Sequence, residues 1–311
     1  MKLSIVTTLY YSAPYLREFY SRCRTAVSAL TDDYEMILVN DGSPDESLEI
    51  AIELSRSDDR IRVIDLSRNF GHHKAIQTGL SFAEGDYVFL IDCDLEEEPE
   101  LLSLFWKTLH DRKADLVFGI QEHRKGRWFE RISGALFYRL FNLFSDLPVK
   151  ENLMTIRLMT RRYQKNLVRF METHPVYFGL AALTGFTQYS ISIAKKDKGK
   201  TTYNLYKKLA LMVNAITSFS SKPLVYIFYL GLWIVIISSG WIIRLLIRKW
   251  FYQVPMGWTS IVVSIWLFGG LTLFAIGIVG VYLAKIFEQT KQRPYVVIRQ
   301  LWEKGEGRDV F

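Results

Sequence analysis

Short apolar runs alternate with amphipathic stretches through the first hundred residues, and that alternation predicts a β-α-β-α chain. Residues 3–7, 34–39, 61–65 and 87–91 are rich in β-branched and aromatic side chains and predict strands. Residues 15–28, 47–55 and 73–83 carry apolar positions at helical spacing, and a further strand is predicted over 115–119. The pattern argues for the α/β class, with a mainly parallel sheet covered by helices on both faces. In such sheets ligands bind at the carboxyl ends of the strands. Three of those ends carry polar turns: Thr7-Thr8-Leu9-Tyr10, Asn40-Asp41-Gly42-Ser43 and Asp92-Cys93-Asp94.

The pattern changes in the last third. Residues 224–247 and 259–284 are almost unbroken apolar segments, each longer than the roughly 20 residues that cross a hydrocarbon core, and they predict two transmembrane helices. Arg244 lies less than one turn from the end of the first, where it can snorkel to the interface, and Trp250, Phe251, Tyr252 and Trp258 suit an aromatic belt. Two amphipathic stretches, 128–144 and 203–219, have aromatic content and flanking cations that predict helices lying in the membrane interface. The expected organisation is therefore a catalytic domain over 1–200 that includes the interfacial helix 128–144, then a juxtamembrane amphipathic helix over 201–222. A two-helix anchor over 223–287 and a tail over 288–311 complete it.

Charge adds an orientation. Lysines from Lys195 to Lys222 precede the first apolar segment, and Lys285, Lys291, Arg293 and Arg299 follow the second, against only Arg248 and Lys249 between them. The positive-inside rule then puts both termini, and with them the N-terminal domain, on the cytoplasmic side of a multi-pass membrane protein. The formal charge of +7 reads as attraction to anionic membrane lipid. A nucleic-acid partner is not expected, since the basic residues are not interleaved with aromatic ones. The apolar run 3–6 is too short for a cleavable signal peptide, and Cys23 and Cys93, without metal-ligand spacing, are expected as free thiols. Gly269, Gly270, Gly277 and Gly280 would let helices approach closely, which is compatible with a homo-oligomer.

The candidate chemistry centres on Asp92 and Asp94. A strand running into Asp-x-Asp delivers two carboxylates to one sheet edge, where they can hold a divalent ion against nucleotide phosphates. The Glu96 to Glu100 run after it reads as the start of a helix.

Together, LSIVTTLY, VNDGSPDES, LSRNFG, DCDLEEEPE, IRLMTRR, GKTTYNLYKKL and SFSSKPL, in that order, resemble the polyprenyl-phosphate glycosyltransferases, the dolichyl-phosphate-mannose-synthase-like branch of the inverting family 2 enzymes. The resemblance covers nearly the whole chain. It implies a GT-A (nucleotide-diphospho-sugar transferase) domain that transfers one sugar from a nucleotide-sugar to a polyprenyl phosphate with inversion. UDP-glucose is the default donor and undecaprenyl phosphate the default acceptor. By position, Asp41 resembles the residue that reads the nucleobase, with Thr8 and Tyr10 lining the same pocket. Asp92 and Asp94 resemble the pair that holds ribose and a diphosphate bound to Mg2+ or Mn2+, and Arg157 resembles the arginine facing the phosphates. Lys200 falls in the basic segment expected to meet the acceptor phosphate.

The chain departs from the family pattern where Thr155 stands for an aspartate, Tyr11 and Ser12 for Asn-Glu, and His72 and Thr202 for lysines. The missing aspartate need not stop the chemistry. A phosphate monoester, with a second pKa of about 6, is already ionised at cytoplasmic pH and requires no general base. Glu151 or Asp146 is a candidate to orient a sugar hydroxyl instead. Two other readings share the pattern. A processive polysaccharide synthase would need more spans and a Gln-x-x-Arg-Trp motif, which is absent. A catalytically silent nucleotide-sugar-binding scaffold would tolerate the substitutions at Ser12, His72, Thr155 and Thr202.

Overall fold

The strands begin where the apolar runs do. In a computed structural model, which describes residues 1–121, 153–170, 184–193, 222–251, 257–291 and 293–309, β1 spans Leu3–Leu9, β2 Tyr34–Asn40, β3 Ile61–Leu66 and β4 Tyr87–Leu90. Every residue of β1 and β2 is buried, because helices cover both faces of the sheet. Helices α1 (Ala13–Ser28), α2 (Ser47–Ser57), α3 (His72–Phe82) and α4 (Leu102–Asp111) follow the four strands in turn. Leu3, Ile5 and Leu9 share a core with Leu16, Phe19, Cys23 and Val27 of α1. On the other face α3 comes so close that a Cβ on Gly79 would lie 2.6 Å from Val6 Cγ1 and 2.9 Å from Val39 Cγ2. Cys23 and Cys93 are buried free thiols.

The sheet then departs from the expected mainly parallel arrangement. With β5 (Leu116–Gln121), β6 (Leu153–Thr160), β7 (Gln188–Ile193), β8 (Ile298–Glu303) and β9 (Glu306–Arg308), the strand order is β7-β5-β6-β4-β1-β2-β3-β8-β9. The centre, β4-β1-β2-β3, is parallel. β6 runs antiparallel to both β4 and β5, and β8 is antiparallel to β3 and β9. The sheet is mixed, and the expectation of a mainly parallel GT-A sheet is corrected accordingly. The physical reason is that β6 and β8 reach the sheet from distant parts of the chain, without the short crossover helices that force neighbouring strands to run parallel. Helix α5 (Arg161–Leu167) continues directly from β6 and packs beside α3, where Gln77 Nε2 donates to Leu167 O at 3.0 Å.

The chain divides into two compact units: 1–135, 149–202 and 293–311 form the first, and 136–148 and 203–292 the second. Within the stretch 288–311, expected as a tail, residues 288–290 end α7 and Ile298–Glu303 and Glu306–Arg308 supply β8 and β9 to the sheet of the first unit.

The second unit holds α6 (Lys222–Phe251) and α7 (Trp258–Thr290). The expectation of two transmembrane helices is also corrected. Among the described residues one stretch, Leu267–Thr290, is long and apolar enough to cross a membrane, and none of it is buried. Among the described residues α6 does not supply a second such stretch. The predicted interfacial helix 128–144 and residues 201–221 of the juxtamembrane helix lie outside the described residues.

Candidate active site

The parallel centre gathers the polar strand ends in the order β4, β1, β2, β3, so Asp92, Thr8, Asp41 and Asp65 follow one another along a single edge of the sheet. The antiparallel flanks add to that edge from the other direction. Because β6 and β8 run against their neighbours, their first residues lie beside the last residues of β4 and β3. The pairing Leu90↔Arg157 brings Arg157 there, and Leu66↔Ile298 brings the start of β8.

Asp41 is buried at 2% exposure, yet it is not idle. Its Oδ1 accepts from the Phe70 N–H at 2.7 Å and its Oδ2 from the Gly71 N–H at 3.0 Å. Burial pushes the carboxyl above the usual range, and the two backbone donors pull against it. The carboxylate therefore clamps the turn that leads into α3. Each oxygen retains a lone pair for a further donor such as a nucleobase N–H.

That turn delivers His72, whose ring joins two strand ends. Its Nδ1 is 3.1 Å from Thr8 Oγ1 and its Nε2 is 3.6 Å from Asp92 Oδ1. In the sequence His72 stood out only as a departure from a lysine; the structure makes it the junction between β1, α3 and β4. The next residue, His73, is different. Although its side chain is exposed at the surface, desolvation by the surrounding protein draws its imidazole down to about 4, with the charges of His72 and Arg157 adding to the effect. The unfolded chain binds a proton there at about 6.5, so between those values it holds more protons than the folded protein. Stability is therefore expected to fall as pH drops from about 6.5 toward about 4, and His73→Asn should flatten that slope in thermal melts. An unchanged slope would assign it to another group.

Asp92 and Asp94 flank the buried Cys93 on a tight turn rather than opening a helix. The helical region begins only at Pro99, after Leu95 adopts a φ of 60°. Asp94 Oδ1 accepts from the Glu96 N–H at 3.0 Å. Glu97, which the sequence did not single out, is 2% exposed, and its Oε1 accepts from the Thr155 N–H at 3.2 Å. Glu97 thereby ties the Asp-Cys-Asp turn to β6; a charged residue after Asp-x-Asp reads as solvated from sequence alone, because only the approach of β6 buries it.

Arg157 is also buried, at 6%, and is turned back on its own strand. Its Nε donates to Thr155 O and its Nη2 to Met154 O, both at 2.9 Å. The fork expected for a phosphate is thus partly engaged with backbone carbonyls, and the side chain acts as a fixed positive charge at the edge. Tyr10 is half exposed at the rim and meets Tyr11 edge to face at 4.8 Å. Ser12 and Ser43 join the loops after β1 and β2: the Ser12 N–H donates to Ser47 Oγ at 3.0 Å and the Tyr11 N–H to Ser43 Oγ at 2.8 Å. Lys200, Asp146 and Glu151 lie outside the described residues.

The donor set of Asp92 and Asp94 suits a hard divalent cation. Both offer carboxylate oxygens, and Asp92 is 28% exposed. Among the described residues no three potential ligands converge, so a cation here would complete its shell with phosphate oxygens and water, the usual manner of Mg2+.

The family model described as Glycosyl transferase family 2 matches residues 4–181, more than half of the chain. Over 303 residues, 97% of this chain and 89% of the other, the sequence is 50% identical to a Mycobacterium tuberculosis protein provisionally named a glycosyltransferase. It is 33% identical over 309 residues, 96% and 94% of the two chains, to YkcC of Bacillus subtilis, an uncharacterized glycosyltransferase. It is 30% identical over 312 residues, 98% of this chain and 100% of the other, to the bactoprenol glucosyl transferase of Shigella phage SfV.

Proposed function

Because the chain belongs to glycosyl transferase family 2 and acts as a sugar transferase, we propose that it moves one sugar from a nucleotide-sugar to a polyprenyl phosphate at the cytoplasmic membrane face, inverting the anomeric centre. UDP-glucose is the donor and undecaprenyl phosphate the acceptor to test first. The observation that carries the donor half is the adjacency of Asp92, Thr8 and Asp41 at one sheet edge, with His72 bridging the first two. Support for the acceptor comes from the full-length relation to a protein whose name specifies bactoprenol, a polyprenyl carrier. The exposed apolar stretch Leu267–Thr290 agrees with it. As a helix its 24 residues extend about 36 Å, enough for a hydrocarbon core of about 30 Å.

The residues divide the work as follows. Asp41 fixes the 70–71 turn and keeps a lone pair on each oxygen toward the base, while Tyr10 offers a ring at the rim. Asp92 and Asp94 would hold Mg2+ or Mn2+, which when bound offsets the charge of the diphosphate. His72 and Arg157 stand beside the same charge, Arg157 held rigid by its two carbonyl acceptors. The acceptor phosphate oxygen forms its bond to the anomeric carbon from the face opposite the leaving nucleoside diphosphate, whose C–O bond breaks. No proton has to be removed, so Thr155 in place of an acid costs the reaction no step. Lys200 is assigned to the acceptor phosphate.

The test is an incubation of membranes carrying the protein with radiolabelled UDP-glucose and undecaprenyl phosphate. A lipid-soluble, acid-labile product is expected. Label in an insoluble polymer, or no transfer from any of a panel of nucleotide-sugars, would reject the reading.

A further inference from the structure

Opposite β3, strand β8 carries a β-bulge at one residue. Asp65 pairs with Gln300 and Leu66 with Ile298, which leaves Arg299 without an opposite partner. A bulge re-aims the side chain it carries. Here the guanidinium reaches past the end of β3: Arg299 Nη1 lies 3.3 Å from Asp65 Oδ2 and Nη2 donates to Ser67 O at 2.7 Å. The neighbouring backbone makes a second tie, the Ser67 N–H donating to Val297 O at 2.9 Å. A third contact sets Lys74 Nζ 5.2 Å from the centre of the Tyr295 ring.

These contacts grip both ends of the segment that forms the edge described above. Asp65 is almost wholly buried, and its Oδ1 accepts from Asn40 Nδ2 at 2.8 Å; Asn40 in turn accepts the Ser43 N–H at 3.2 Å. Ser67 opens the turn whose Phe70 and Gly71 amides are clamped by Asp41 and whose end is His72. Asp41 holds that turn from inside the sheet, and Arg299 holds it from outside, through a strand 232 residues further along the chain from Ser67.

We propose that Arg299 is a positioning residue of the donor site, acting through residues 67–72 to set His72 and the Asp41 clamp; the effect on affinity rests on the donor reading given above. The guanidinium is suited to this because its rigid fork serves two acceptors, a carboxylate and a carbonyl, from separate nitrogens, whereas a lysine would have to draw both to one nitrogen at the end of a flexible stem. Removing it leaves the Asp65 carboxylate buried with Asn40 alone and frees the Ser67 carbonyl.

The experiment uses the full chain in detergent and reads two quantities, hydrogen exchange of the peptide covering residues 66–72 and the affinity for uridine diphosphate with Mg2+, guanosine diphosphate serving as second probe. Arg299→Gln is expected to speed exchange of that peptide about tenfold and to weaken nucleotide binding by about the same factor. Arg299→Lys should fall between it and the wild type. Arg308→Gln, which removes the Arg308–Glu303 pair of the same β8–β9 hairpin, should leave both readouts unchanged. The proposal is overturned if exchange over 66–72 in Arg299→Gln matches the wild type. It is equally overturned if Arg308→Gln has the same effect, or if the segment loosens while nucleotide affinity holds. Faster exchange in a protein that binds neither nucleotide would uphold the positioning role and count against the donor reading alone.

Discussion

Replacing Asp94 by asparagine is expected to cut sugar transfer by at least about a hundredfold while leaving the fold and membrane association intact. The substitution separates charge from shape. An asparagine Oδ1 can still accept the Glu96 N–H that Asp94 accepts at 3.0 Å, so the turn after β4 keeps its internal hydrogen bond. What is lost is a negative oxygen at the one edge where Asp92 and Asp94 can share a divalent cation, and with it the means of offsetting charge on a departing diphosphate. The decisive measurement is kcat with the nucleotide-sugar that the wild type uses, alongside the melting temperature. Turnover within a few-fold of the wild type at an unchanged melting temperature would remove Asp94 from the cation site. Equal loss of both would mean that the turn, rather than the charge, had been disturbed.

The second large effect is steric. Gly42 lies at a φ of +61°, and a Cβ built on it would fall 2.5 Å from Asn69 N and 2.6 Å from Arg68 C, both backbone atoms that cannot rotate away. Gly42→Ala therefore adds a left-handed backbone cost to an overlap with the 67–72 turn, together about 2–4 kcal/mol of stability. The damage should not be uniform. The overlap pushes the turn away from Asp41, whose oxygens hold the Phe70 and Gly71 amides, so nucleotide affinity is expected to fall even at temperatures where the variant remains folded. Denaturant melts report the stability and a nucleotide titration reports the site. An alanine variant with wild-type values in both would show that the turn can shift without consequence, contrary to its role as the carrier of His72.

The two predictions share a cause that was legible in the chain only in part. Asp41, Asp92 and Asp94 could be picked out because each follows an apolar run that must be a buried strand, and a buried strand that ends in an acid delivers it to the sheet edge. Gly42 stood in the same polar turn. His72 was visible only as a departure from a lysine, and Glu97 only as part of an acidic run. A histidine at the first turn of a helix and a glutamate in an acidic run are ordinary surface residues until a second strand approaches them, as β1 and β4 approach His72 and β6 approaches Glu97. Arg299 was counted as one more cation flanking an apolar segment, because nothing within ten residues of it reveals that β8 will lie against β3.

What the chain by itself determined is the alternation of strands and helices from β1 to α4, the polar strand ends and the apolar character of the last third. These follow from local periodicity: side chains two apart share a strand face, those three or four apart share a helix face, and hydrophobic burial selects between them. Tertiary structure alone decided that β6 and β8 run against their neighbours, that Arg157 and Arg299 consequently reach the same edge as the aspartates, and that residues 298–308 belong to the sheet. Strand direction depends on which backbone hydrogen bonds distant segments can complete with each other, and the pattern of side chains along either segment is the same whichever way it runs.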